Sequence, residues 1–85
     1  MAASKMDIYM WLKNAQEHGA THMLVVCDTY DHEDYPISVM PDQDLASIAK
    51  AHHGTNMQRV MECYDLSMDL MEQANEFRAF HGWHP

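Results

Sequence analysis

Residues 23–40 read MLVVCDTYDHEDYPISVM and contain the two most strand-like segments of the chain. Met23–Cys27 is apolar without alternation, which is typical of a strand that is buried on both faces. Pro36–Met40 alternates, and we expect Ile37 and Val39 to face the core. The proline is predicted to start this strand, because it has no backbone N–H to donate to a ladder. The two strands are expected to pair antiparallel.

The connection between these strands, Asp28–Pro36, is predicted to be a loop that is longer than a tight hairpin. Its nine residues include four acids, one histidine and two tyrosines. Tyrosines are large, rigid contact residues, and the acids would steer a basic partner toward them. The alternative is a solvated acidic loop with no partner. The candidate partner-binding residues are Tyr30, Asp31, His32, Glu33, Asp34 and Tyr35.

Helices are predicted on either side of this central unit. Helix-like periodicity covers Asp7–His18, preceded by a capping box from Ser4 to Asp7 and followed by Gly19. A second helix is expected after the N-cap Asp42, up to the stop at Gly54. Its apolar face would consist of Leu45, Ile48, Ala49 and His52.

The C-terminal half predicts one more strand and one more helix. A turn is expected at Thr55–Asn56, and a strand over Gln58–Tyr64 with Val60, Glu62 and Tyr64 on one face. Ser67 is a plausible N-cap for a last helix from Met68 to about Phe80. The apolar stripe of that helix would be Leu70, Met71, Ala74, Phe77 and either Phe80 or His81.

The predicted architecture is a single α+β domain over residues 1–85, with element order α-β-β-α-β-α. A three-stranded, mainly antiparallel sheet would carry the helices. Residues 1–5 are expected to be disordered or an extension before a natural start at Met6. So narrow a sheet has two edges, and we expect a homodimer to form through an edge or a Met-rich helix face.

The net charge of −8, with only five Lys and Arg residues, argues against binding to nucleic acid or to an anionic membrane. The sequence has neither an apolar run long enough to span a bilayer nor a secretory signal, so the cytoplasm is the expected compartment. In that compartment Cys27 and Cys63 are predicted to be buried free thiols.

Two chemical alternatives compete with protein binding. Asp28, Asp31, His32 and Asp34 could ligate a metal together with His81 or His84, although their spacing does not match the calcium-binding loop. Asp28 directly follows a buried strand, where catalytic carboxylates often lie, but no catalytic motif or Gly-rich phosphate loop accompanies it. We therefore predict a non-enzymatic protein without a cofactor.

Small-ligand binding is a further alternative. Tyr30, His32 and Tyr35 could stack on a nucleotide base, and a cleft between two subunits could supply the concavity that a chain of this size lacks. The scarcity of basic residues counts against phosphate recognition.

Three blocks of the sequence resemble a pattern found in small, uncharacterised bacteriophage proteins: VVCDTYDHEDYP at 25–36, NMQRVMECYDLS at 56–67 and EFRAFH at 76–81. Together they cover roughly Thr21 to His81. The resemblance carries no assigned activity and therefore no catalytic residue. It implies expression in an infected bacterium, and small acidic phage proteins often bind and block a host or defence protein.

Overall fold

A computed structural model describes residues 4–54, 57–76 and 78–85. The predicted element order and the α+β class are confirmed. The elements are α1 (Lys5–Glu17), β1 (His22–Asp28), β2 (Glu33–Val39), α2 (Leu45–Ala51), β3 (Gln58–Asp65) and α3 (Leu70–Ala74). No helix among the described residues is long and apolar enough to cross a membrane. The turn predicted at Thr55–Asn56 lies outside the described residues.

The sheet has the order β2-β1-β3 with both pairs antiparallel, so β1 is the central strand. Side chains alternate between the two faces of a strand, and both faces of β1 are covered. On one face Met23 and Val25 belong to a core cluster with residues of α1 and α3. On the other face Leu24 and Val26 belong to a second cluster with α2 and the C-terminal segment. The prediction of a strand buried on both faces is confirmed.

β2 begins three residues earlier than predicted, at Glu33 instead of Pro36. The proline therefore does not start the strand, and it pairs with Val25 in the middle of the ladder. This is tolerated because β2 is an edge strand, where one side of the backbone has no neighbouring strand to receive a hydrogen bond. Ile37 and Val39 face the second core cluster, as predicted.

β3 contains a register shift that the alternating pattern did not predict. Val26 pairs with Val60, but Val25 pairs with Glu62, which leaves Met61 as an extra residue. The prediction that Val60 shares a face with Glu62 and Tyr64 is therefore wrong. The bulge turns Val60 toward the second cluster, while Tyr64 faces the first.

The capping box that starts α1 is confirmed: Ser4 Oγ accepts from the N–H of Asp7, and the Asp7 carboxylate accepts from the N–H of Ser4. Ser4 and Lys5 are thus part of the first helix and its cap. The N-cap of α2 is Asp44, two residues later than predicted, and its carboxylate accepts from the N–H of Ser47. Leu45, Ile48 and Ala49 pack toward the core as expected.

The last helix is much shorter than predicted. α3 covers only Leu70–Ala74, and its N-cap is Asp69, not Ser67. Ser67 instead donates its hydroxyl to Asp65. Leu70 and Ala74 are buried as predicted, but Met71 is exposed, and Phe77 lies outside the described residues.

After α3 the chain returns to the sheet. The N–H of Cys63 donates to Ala79 O, and the N–H of His81 donates to Cys63 O, each at 2.9 Å, so this segment makes a parallel bridge with β3. Trp83 packs against the second core cluster. This segment thus covers part of the outer edge of β3.

Both cysteines are free thiols. Cys63 is buried as predicted, and burial raises the pKa of its thiol to about 11. Cys27 is only half-buried, because it lies near the end of β1. Burial and the neighbouring Asp34 carboxylate raise the pKa of the Cys27 thiol.

Candidate functional site: an acidic hairpin and an adjacent cavity

The connection between β1 and β2 is a four-residue turn, Thr29–His32, instead of the longer loop that the sequence predicted. Asp28 and Glu33 form the last pair of the ladder. The N–H of His32 donates to Asp28 O at 2.7 Å, and His32 itself has a φ of 60°. That left-handed conformation allows four residues to reverse the chain direction. We call residues 28–33 the hairpin tip.

Two carboxylates fix the backbone of the hairpin tip. Asp28 Oδ1 accepts from the N–H of Tyr30 at 2.8 Å, and Asp31 Oδ1 accepts from the N–H of Glu33 at 3.1 Å. Aspartate side chains commonly bond to the backbone two residues ahead in this way. Asp28 was weighed as a catalytic carboxylate, and its position in the structure is that of a turn-forming residue.

Four of the six predicted contact residues lie together in solvent at the hairpin tip. Tyr30 is 78% exposed, and Asp31, His32 and Glu33 are exposed as well. Asp28 and Asp31 hold the backbone on both sides of this segment. The tip therefore presents one aromatic side chain on an ordered turn, next to several acidic groups.

Asp34 and Tyr35 do not belong to this group. They are consecutive residues of β2, so their side chains lie on opposite faces of the sheet, and both are half-buried. Tyr35 packs against the second core cluster, and its hydroxyl oxygen accepts from Gln58 Nε2. The six predicted residues therefore do not form one continuous surface.

Gln58 links Tyr35 to the end of α2. Its Oε1 lies 3.1 Å from Nδ1 of His52, so this ring nitrogen is the donor. The amide thus connects His52 with Tyr35 across the start of β3. This network attaches the base of the hairpin to the segment that follows α2.

A cavity of about 310 Å³ lies beside the hairpin tip. Its wall includes the backbone bonds that join the start of the turn to β3, since Thr29 donates both its N–H and its hydroxyl to Met57 O, at 2.7 and 2.8 Å. We call it the Arg59 cavity, and it is lined by Thr29, His53, Gly54, Met57, Gln58 and Arg59.

The residues considered for metal binding are not assembled into a site. Within the part of the chain that the structure describes, no group of three or more His, Cys, Asp or Glu side chains is placed to hold a metal ion. His81 Nε2 lies 2.8 Å from Glu76 Oε2, and the ring of His84 stacks on Phe80. Each of these two histidine rings thus contacts a residue of the C-terminal region, Glu76 or Phe80.

The exposed sides of α1 and α3 form an apolar surface. Met6 and Met10 are 67% and 61% exposed, and Met71 is 53% exposed. A small groove of about 120 Å³ between the helices is lined in part by Met6, Tyr9 and Met71. This is the Met-rich helix face that the sequence offers for self-association.

Comparisons of the chain with protein-family models, with curated proteins and with solved structures found no match.

The Arg59 cavity was not predicted from the sequence. In the sequence, Arg59 is only one of the five Lys and Arg residues. β3 pairs with β1, and Asp28 at the end of β1 lies opposite Gln58 at the start of β3. The cavity forms there, where the start of β3 lies next to the start of the hairpin turn. The signal that could have found it is the polar character of Gln58 and Arg59 at the start of an otherwise apolar strand.

Proposed function

We propose that this chain is a non-enzymatic bacteriophage accessory protein that acts in the cytoplasm of an infected bacterium. It binds a host or host-defence protein and modulates or inhibits it. The contact surface is the hairpin tip, with Tyr30 as the central residue and Asp31, His32 and Glu33 around it. The observation that carries this proposal is the 78% exposure of Tyr30 on a turn held by two carboxylate–backbone bonds.

The energetics of association favour such an arrangement. A tyrosine buries a large area when it enters a pocket, and its hydroxyl can bond at the rim. Binding also costs conformational entropy, and a turn that is already ordered reduces this cost. The bonds from Asp28 and Asp31 supply that order before the partner arrives.

Charge determines the kind of partner. The chain carries a net charge of −8, and Asp31 and Glu33 are exposed directly at the tip. Opposite charges on the partner would accelerate encounter, and salt would weaken that acceleration. We therefore expect a basic patch on the partner with a pocket for one aromatic ring.

The bacteriophage setting is supported by the resemblance of residues 25–36, 56–67 and 76–81 to small phage proteins. The first of these blocks contains the whole hairpin tip. Tyr35 is treated as part of the support beneath the tip, since it packs on the second core cluster and bonds to Gln58.

The experiment that tests this proposal is affinity capture from infected bacterial lysate, followed by titration of the captured protein in purified form. Tyr30→Ala should weaken binding by tenfold or more, which is typical of a central aromatic contact. Met68→Ala is the matched control, because Met68 is also a large exposed apolar residue but lies before α3. Equal affinity of the two variants would contradict the proposal.

Charge is tested separately from shape. Asp31→Asn with Glu33→Gln removes two negative charges at the tip, and the Asn oxygen can still accept from the backbone. Glu17→Gln with Asp42→Asn removes the same charge from exposed positions outside the hairpin. The tip variant should associate more slowly, with a smaller salt dependence, than the control variant. If both pairs slow association equally, only the overall charge matters.

A further inference from the structure

We propose that the Arg59 cavity is a binding site for a small organic monocarboxylate, whose carboxylate pairs with the Arg59 guanidinium. The inference does not depend on the proposed protein partner, although Thr29 of the hairpin tip is one of the lining residues. It rests on three observations: the cavity itself, the lack of a bonding partner for the Arg59 guanidinium among the described residues, and the hydrogen bond that His53 Nδ1 accepts.

Arg59 carries one of the few positive charges of an acidic chain. The sequence contains 13 Asp and Glu residues and only five Lys and Arg. Nevertheless, among the described residues no hydrogen bond or ion pair is made to the Arg59 guanidinium. Arg59 is one of the lining residues of the cavity. Its guanidinium carries donors in a planar fork that matches a carboxylate in two parallel hydrogen bonds.

His53 supplies a second donor to the cavity wall. The N–H of Val60 donates to His53 Nδ1 at 3.1 Å, so Nδ1 carries no proton. The neutral ring therefore has its proton on Nε2 and can act as a hydrogen-bond donor there. An edge-to-face contact with Trp83, at 5.6 Å between ring centroids, holds the ring in place. The two side chains thus favour an acceptor-rich ligand.

The volume of the cavity and its other lining residues indicate the size and polarity of the ligand. The volume of about 310 Å³ is at the small end for ligand pockets, which run from roughly 300 to 1,000 Å³. Met57 is 58% exposed and offers a flexible apolar surface. At Gly54 a side chain would meet nothing within 4 Å, so this part of the wall is open. A compact apolar or aromatic body fits these walls.

Electrostatics favours one negative charge over two. Among the described residues that line the cavity, Arg59 is the only Lys or Arg, and Asp28, Asp31 and Glu33 lie in the neighbouring hairpin tip. A doubly charged phosphate would be repelled by these acids, and one guanidinium would not compensate for it. A monocarboxylate leaves the pair neutral.

The test is a titration of the ¹⁵N-labelled full chain, followed by amide chemical shifts. The carboxylate probes are benzoate, phenylacetate and hexanoate, and the other arms are inorganic phosphate and adenosine monophosphate. Saturable shifts at Thr29, Gly54 and Arg59 with at least one carboxylate are expected. No saturable shift with any carboxylate at millimolar concentration would overturn the proposal, as would tighter binding of phosphate or the nucleotide.

Variants connect binding to Arg59. Arg59→Gln should weaken the best carboxylate at least tenfold, while Arg59→Lys retains the charge but not the fork and should weaken it less. Lys13→Gln removes the same charge from an exposed position on α1 and should leave the affinity unchanged. Equal effects of Arg59→Gln and Lys13→Gln would overturn the assignment to this site. Tyr30→Ala should not change carboxylate affinity, so a failure of the hairpin proposal leaves this one testable.

Discussion

Asp28 Oδ1 accepts a hydrogen bond from the backbone N–H of Tyr30 at 2.8 Å. Asp28 is the last residue of the buried central strand, and Tyr30 is the most exposed large hydrophobic residue among those that the structure describes. The bond therefore connects the end of the central strand to the residue that the proposed function depends on most. The Asp28 carboxylate therefore stabilises the turn.

This relationship predicts the effect of two substitutions. Asp28→Ala removes the acceptor and should lower the free energy of unfolding by about 1 kcal/mol, which is typical of one intramolecular hydrogen bond. Asp28→Asn retains an acceptor oxygen and should lower it by less. Urea unfolding measures both changes, and the hairpin amide shifts report whether the turn is retained. If the Ala and Asn variants are equally stable, the carboxylate does not hold the turn.

Much of the fold was predictable because the central strand is unambiguous. Met23 to Val26 are four consecutive apolar residues, a pattern typical of a strand covered on both faces, and none of the four has exposed surface in the structure. The cap at Ser4 followed from the spacing to Asp7. The antiparallel pairing of β1 and β2 followed from their proximity in the chain.

The errors occur where tertiary contacts override local signals. Pro36 indicated a strand start, but an edge strand accepts it in mid-ladder. The sequence around Met61 alternates regularly and predicted no irregularity. In the structure, a β-bulge at Met61 places Val60 and Tyr64 on opposite faces. The last helix ends at Ala74, and the chain then pairs with β3 at Cys63 through Ala79, Phe80 and His81.

The candidate site was predictable only in part. Tyr30, Asp31, His32 and Glu33 lie together because they are adjacent in the chain, and adjacency is visible in a sequence. The Arg59 cavity depends on the pairing of β1 with β3, which local patterns do not determine. The same pairing explains why Tyr35 bonds to Gln58 instead of joining the tip.

Gln73 is predicted to be important for stability, because it is a polar side chain with 1% exposure that satisfies buried backbone groups. Its Oε1 accepts from the N–H of Asp65 at 2.9 Å, and its Nε2 donates to Asp65 O at 2.7 Å. Nε2 also donates to Asp69 O at 3.2 Å. Gln73→Met retains the volume but removes all three hydrogen bonds, and we expect a loss of about 2–4 kcal/mol in urea unfolding. Gln16→Met removes a single bond to Leu66 O from an exposed position and should cost less than about 1 kcal/mol. Similar losses for both variants would contradict this role.

Gly82 is predicted to be the glycine that tolerates a side chain least. Its φ is 96°, and a Cβ there would lie 2.9 Å from His22 Nε2 and 3.2 Å from Leu45 Cδ2. Gly82→Ala should therefore combine backbone strain with a steric clash, at a total cost of about 2–3 kcal/mol. Gly19→Ala is the control, because Gly19 has a φ of 83° with nothing within 4 Å, and it should cost only about 1–2 kcal/mol. Thermal unfolding of both variants compares the two, and a smaller loss at Gly82 would mean that the C-terminal segment moves away freely.

Ser67 and Asp65 predict a dependence of stability on pH. The Asp65 carboxylate accepts from the hydroxyl and the N–H of Ser67, at 2.7 and 2.9 Å, and these bonds hold its pKa below the usual value. A carboxyl group whose pKa is lowered by folding stabilises the native state above its unfolded pKa of about 4, and this contribution is lost as the pH falls through the lower native value. Ser67→Ala should therefore cost about 1 kcal/mol at pH 7 and less at pH 3, which is below the unfolded pKa of Asp65. Urea unfolding at both pH values, with Ser38→Ala on the exposed edge strand as the control, measures the difference. A cost for Ser67→Ala that is the same at both pH values would show that the hydroxyl does not act through the Asp65 charge.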